Sequence, residues 1–158
     1  MENTYHFNAA TANLLQQQGW HAGRAVDVTR YVAAWNSEGY TASVAAKRFA
    51  RCFGGLRLTH AAYRTAGQHD ESVFDPVAAM NRLDSRWVKD CYEGLAGSSL
   101  CPIGSGYSQH MTYFIAERGV FYGGYDDYFC RIGRTVEEAL HNILVVREFK
   151  PLGSDNGA

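Results

Sequence analysis

Part-way along this chain the spacing of apolar residues changes period, and that change limits the fold more than any other feature. Up to Phe53, apolar residues recur at intervals of three and four, the repeat of helices that bury one face. From Leu100 to Gly133 they come instead in short runs rich in aromatic and β-branched residues, separated by glycine-containing turns. That is the pattern of an antiparallel meander. Helices first and a meander afterwards point to an α+β class.

Three short helices are expected before the first strand. In "HFNAATANLLQQQ", Phe7, Ala10 and Leu14 share a face that ends before Gly19; Val28, Tyr31, Val32 and Trp35 repeat the pattern up to Gly39. "TASVAAKRFARCF" places Val44, Ala45, Phe49, Cys52 and Phe53 on one side and stops at Gly54-Gly55. "LRLTHAAY" alternates Leu56, Leu58 and His60 as a half-buried strand; "RTAGQHDES" reads as a polar loop and "SVFDP" as a short strand ended by Pro76. Met80, Leu83, Trp87, Val88, Cys91 and Leu95 then predict one helix with a break.

Four strands follow in "SLCPIGSG", "HMTYFIAE", "GVFYGG" and "DYFCRIG", with Arg118-Gly119 at a tight hairpin. Tyr128, Cys130 and Ile132 should point one way and Phe129 and Arg131 the other, which makes Cys130 a core residue rather than a nucleophile. Thr135 and Glu138 have the spacing of a capping box, so "RTVEEAL" starts a helix and is not a catalytic carboxylate pair. Residues 1–150 are expected to form one domain and 151–158 a disordered tail.

The chain's 158 residues suffice for a core without disulfide or metal staples, and a charged fraction of 20% suits a globular protein. No basic start leads into an apolar run, no stretch is long and apolar enough to span a bilayer, and the four cysteines form no close pair. A cytoplasmic protein with reduced thiols, no membrane role and no cofactor is expected. The net charge of −1 hides an asymmetry. Through Arg64 there are seven basic residues against three acids, and beyond it eight against thirteen. An acidic second half suits a basic partner, while the basic residues lack the interleaved aromatics of a nucleic-acid groove.

Motifs for chemistry are missing. The six histidines never fall at zinc-helix spacing, the glycines of "PIGSGYS" and "RCFGGL" match neither phosphate-binding pattern, and no nucleophile elbow occurs. What remains is recognition. Tyr125, Asp126 and Asp127 fall in an expected turn between strands, where a tyrosine and two acceptors would meet a basic partner; Tyr122 and Tyr128 read as sheet residues.

Several motifs in a fixed order, "GWHAGRAVD", "FARCFGGLRL", "LCPIG", "RGVFYGG" and "IGRTVEEAL", resemble the third branch of the SUKH superfamily of immunity proteins, over Phe7 to Leu144. The resemblance implies an α+β fold with helices packed around a curved, mostly antiparallel sheet, and a cytoplasmic protein that binds and neutralises a cognate toxin, a nuclease or deaminase. It brings no catalytic residues. Gly19, Trp20, Gly23, Arg24, Gly54, Gly55, Leu56, Pro102, Gly104 and Gly133 stand at its recurrent positions, and Arg24 is expected to anchor a helix junction through a buried carboxylate or carbonyl. The leading expectation is a non-enzymatic immunity protein, a monomer when free, that occludes a toxin with Asp70, Glu71, Glu117, Tyr125, Asp126 and Asp127. A scaffold domain with another partner, and a small enzyme or ligand-binding protein using a cleft between sheet and helices, are the alternatives.

Overall fold

The architecture changes where the period changes. In the computed structural model, which describes residues 5–62 and 66–153, helices α1 (Ala9–Gln17), α2 (Thr29–Ser37) and α3 (Val44–Phe53) come first. Strands β1 (Arg57–Ala61) and β2 (His69–Val73) follow, then α4 (Pro76–Met80) and α5. The last runs over 85–96 as Ser85–Trp87, a wider π-type turn at Val88–Tyr92, and Glu93–Ala96. Next come β3 (Leu100–Gly106), β4 (Met111–Ala116), β5 (Phe121–Tyr125) and β6 (Tyr128–Gly133). Helix α6, Val136–His141 continued by a wide turn at Asn142–Val146, leads to β7 (Lys150–Pro151). The strands lie in chain order, each antiparallel to the next, in one seven-stranded sheet.

Side-chain caps start every described helix except α2, where Val28 offers none. Asn8 accepts from the Thr11 amide at 2.9 Å, Ser43 from Ala46 at 3.1 Å and Asp75 from Val77 and Ala78 at 3.1 Å, each meeting a donor that a helix start leaves unpaired. At α6, Thr135 Oγ1 accepts from the Glu138 amide at 3.0 Å, and Glu138 reaches back to the Arg134 amide at 2.7 Å. The expected box therefore forms, with its return arm one residue before the cap. At the α3–β1 junction Gly55 takes φ +85°, which a side chain would oppose. Arg24 donates there to the carbonyls of Cys52 (3.0 Å) and Gly54 (2.9 Å), so the anchor expected of Arg24 is made to carbonyls.

The sheet is covered on both faces. Tyr113 and Phe114, neighbours on β4, point to opposite sides. On the Tyr113 side, Phe121 meets Phe49 of α3 edge-on at 5.6 Å; on the Phe114 side, Tyr92 of α5 stacks on Phe129 at 4.7 Å. All six β4 positions are buried, which explains why "MTYFIA" shows no polar alternation. At the outer edge of β1, the Gln18 amide donates to Thr59 O (2.9 Å) and accepts from Thr59 N (2.6 Å), closing backbone groups that would otherwise offer a template to another strand.

Several expectations need correction. Val44 is 79% exposed, because α3 turns Ala46, Phe49, Ala50 and Phe53 inward and the two large rings set its rotation. Ala10 is exposed, while Thr11 and Leu15 are buried; Thr11 faces inward because its hydroxyl meets His141 Nδ1 at 3.0 Å. The "polar loop" contains most of β2, since pairing with β1 runs through the backbone and asks for no apolar side chain. Pro76 opens α4 rather than only closing a strand, and the break expected in the helix over 78–95 separates two helices, α4 and α5. Ordered structure runs past residue 150. Pro151 pairs with Cys130, and the Leu152 amide bonds Phe129 O at 2.8 Å; residues 154–158 lie outside the described ones.

Candidate functional site

The β5–β6 turn and the helix behind it form the most developed surface feature. Asp126 and Asp127 close the hairpin between the paired Tyr125 and Tyr128, with Asp126 in the left-handed region at φ 51°. Aspartate is among the few non-glycine types that tolerate this conformation. The Asp126 carbonyl accepts two hydrogen bonds from α5, from the Tyr92 hydroxyl at 2.6 Å and Trp87 Nε1 at 3.1 Å.

Those donors are five residues apart. In a regular α-helix they would be rotated by about 140° from each other. The wide turn at Val88–Tyr92 brings Tyr92 round towards the side of Trp87, so both reach one oxygen. Tyr92 also lies where a side chain on Gly124 would have to be, so glycine at 124 is what lets α5 approach the strand. Burial raises the Tyr92 phenol's pKa, which keeps it a hydrogen-bond donor.

The turn and α5 enclose an open depression of about 680 Å³. Its walls carry the aromatic Trp87 and Tyr125, 41% and 47% exposed, and the carboxylates of Asp84, Asp126 and Asp127 against the single guanidinium of Arg82. Asp84 is partly committed, accepting from the Arg86 amide at 3.0 Å, and Arg82 reaches Gln109 O at 3.2 Å. His110, on the β3–β4 turn, completes the wall with its ring centroid 6.2 Å from that of Tyr125. The arrangement can bind a cationic or aromatic surface. Its lining includes no serine, cysteine or lysine.

The other candidate residues are placed differently. Asp70 is half-buried at the same end of the sheet, where one carboxylate oxygen accepts from Ser108 N (2.9 Å) and Glu71 N (2.8 Å). Glu71 pairs with Arg57 at 2.7 Å, both side chains well exposed. Glu117 lies in the β4–β5 turn at the opposite end, beside a smaller hollow of about 360 Å³ that also includes Val44 and Arg48. Tyr122 is a sheet residue stacked on Phe129 at 5.1 Å. The sequence reading missed Trp87, Asp84, Arg82 and His110. Only Trp87 carried a signal, as a large aromatic on a helix whose break left its face undetermined.

Ser72 and His60 do meet, Oγ to Nε2 at 2.7 Å, but both are buried, so the pair is closed to a substrate. Burial pushes the thiols of Cys130 and Cys101 up to about 12 and about 11, values for core thiols. Among the described residues no group of three or more His, Cys, Asp or Glu is placed to hold a metal ion, and no helix is long and apolar enough to cross a membrane.

Comparison with known families decides the assignment. The model of the SUKH-3 immunity protein family matches residues 7–145. The chain belongs to that family. No curated protein and no solved structure matches it. As a SUKH-3 protein it is an immunity protein, in a family that works by binding. Its α+β architecture is that of the helices and meander described above. Two residues of the motifs that carried the resemblance act in the fold of this SUKH-3 chain: Arg24 holds the α3–β1 junction, and Pro102 O accepts from Trp35 Nε1 at 2.8 Å.

Proposed function

We propose that this immunity protein neutralises its toxin by laying the face built from α5 and the β5–β6 turn over a basic substrate channel. The observation that carries the reading is the double anchoring of the Asp126 carbonyl by Trp87 and Tyr92. It holds the turn through its backbone and leaves the Asp126 and Asp127 side chains directed to solvent beside the exposed rings of Trp87 and Tyr125. Rigid aromatic area flanked by unpaired carboxylates suits a partner surface rich in Arg and Lys. Enzymes that act on nucleic acid, such as nucleases and deaminases, present such a surface along the path of the phosphates. Acting in the cytoplasm as a monomer, the protein would block that path by standing in for phosphate charge.

Asp70 and Glu71 belong to the same end of the sheet, where Asp70 is committed to the Ser108 and Glu71 amides and Glu71 to Arg57, and Glu117 falls outside this contact. The test uses the cognate toxin, sought as the product of a neighbouring gene. Charge reversal in Asp126→Lys/Asp127→Lys is expected to weaken binding at least about tenfold, or about 1.4 kcal/mol. It should also flatten the dependence of affinity on salt between about 50 and 300 mM, read by calorimetry. Unchanged affinity and an unchanged salt slope would remove this face from the contact.

A further inference from the structure

The buried polar chain beneath the β3–β4 turn has a direction. His60 Nδ1 lies 2.9 Å from the Ala61 carbonyl, which can only accept, so this nitrogen carries the proton. In the neutral ring Nε2 is then an acceptor, and the Ser72 hydroxyl, 2.7 Å away, donates to it. Ser72 Oγ in turn accepts from the Tyr113 hydroxyl at 2.6 Å. His60, Ser72 and Tyr113 are 5%, 0% and 0% exposed, so no bulk water stands in for a lost partner. A second proton on the ring would turn Nε2 into a donor. Ser72 would have to direct its own proton to the Tyr113 oxygen, displacing the phenol's proton from the partner it has.

The group facing His60 across the ladder is Asp70, its register partner on β2. The Asp70 carboxylate is what holds the Ser108 amide. Ser108 sits in a turn with three consecutive non-glycine residues in the left-handed region, Tyr107 at φ 54°, Ser108 at 60° and Gln109 at 66°. Such a run persists only where its surroundings impose it. Here those are the Asp70 bond, the Arg82 bond to Gln109 O and the His110 amide bond to Tyr107 O at 3.1 Å. An imidazolium next to Asp70 would compete with Ser108 for that carboxylate.

We propose that His60 is a proton-operated latch on the β3–β4 turn: a proton on its ring reverses the Ser72–Tyr113 chain, draws Asp70 away from Ser108, and lets residues 107–110 leave their left-handed conformation. The turn carries His110, a wall of the depression beside Tyr125, so the latch regulates the face assigned above to toxin binding; only this last step rests on that assignment. The groups around the ring are Asp70 and Glu71 from β2, Tyr113 from β4, Tyr107 from the turn itself, its ring 5.6 Å from the imidazole, and Arg147 after α6. Burial, and then Arg147, lower the ring's pKa, while the Ala61 carbonyl, Asp70 and Glu71 oppose that. Because the folded value lies below the unfolded one, near 6.5, the stability held by the neutral ring is complete above about pH 6.5. It declines as pH falls below that point towards the folded value.

Amide hydrogen exchange on the free protein tests the latch. Protection at 107–110, corrected for intrinsic exchange, should fall roughly tenfold or more between about pH 7.5 and 5.5. His60→Gln should abolish that pH dependence. Asp70→Asn, which keeps the acceptor for Ser108 but loses the charge, should retain protection at the lower pH. Should His60→Gln fail to fold, titration of the His60 ring by NMR in the natural protein supplies the second reading, and its midpoint should coincide with that of the loss of protection. Constant protection across the range, or separate midpoints, would overturn the latch. No toxin is present, so such a failure leaves the acidic face standing, whereas failure of the Asp126 and Asp127 reversals leaves the latch standing.

Discussion

Two turns at the same end of the sheet solve one problem in opposite ways. Both the β5–β6 and the β3–β4 turns hold non-glycine residues in the left-handed region. In the first, restraint comes from neutral donors, the Trp87 indole and the Tyr92 phenol, acting on a backbone carbonyl, so the carboxylates of Asp126 and Asp127 stay outside. In the second, one of the restraints is a carboxylate, as Asp70 accepts from Ser108. An acid that props a turn is already solvated by protein amides and has less to offer a partner. Counting acids therefore says little about which of them are available; what each carboxylate already bonds to decides it.

The comparison breaks most severely if the aromatic prop is removed. Tyr92→Ala takes away the stacking on Phe129 and one donor to Asp126, and should cost about 3–5 kcal/mol in a denaturant titration. Toxin affinity should fall as well, because the turn loses its anchor. A loss under about 1 kcal/mol would mean that the helix does not hold the turn. Next in size is Asp70→Ala, which strands the Ser108 amide and should cost about 1–2 kcal/mol with faster exchange at 107–110 at every pH. Affinity for the toxin should change less than in the Asp126 and Asp127 reversals; a larger change would place Asp70 in the contact. Smallest is Glu71→Gln. Its pair with Arg57 is exposed on both sides, so stability should move by less than about 1 kcal/mol and should not depend on salt once the pair is gone.

Much of the fold was legible because local rules and tertiary packing agree. Thr135 and Glu138 cap α6, Arg118-Gly119 turns β4 into β5, and the alternation of Phe129 and Cys130 puts them on opposite sides of a sheet. Where the two levels compete, the sequence misled. Val44 is apolar, yet it lies five residues and so about 140° from Phe49, and the rotation that buries Ala46, Phe49 and Phe53 leaves it outside. Asp70, Glu71 and Ser72 look like a loop and form a strand, because a ladder is made by backbone groups that every residue carries. At the candidate site the sequence supplied Tyr125, Asp126 and Asp127 as neighbours in a turn, but not the helix that fixes them. Trp87 and Tyr92 are more than thirty residues away in the chain, and only the wide turn between them brings both to one carbonyl.

The sequence by itself determined that helices come first and a meander follows, the hairpin at Arg118-Gly119, the cap of α6 and, through short motifs, the family, because each depends on residues within a few positions of one another. Which carboxylates face outward, which way the His60 chain points, and how α5 grips the β5–β6 turn were decided only by tertiary structure. Those depend on partners brought together across the sheet, where a single hydrogen bond to a distant amide or carbonyl determines whether a side chain holds the fold together or remains free to hold something else.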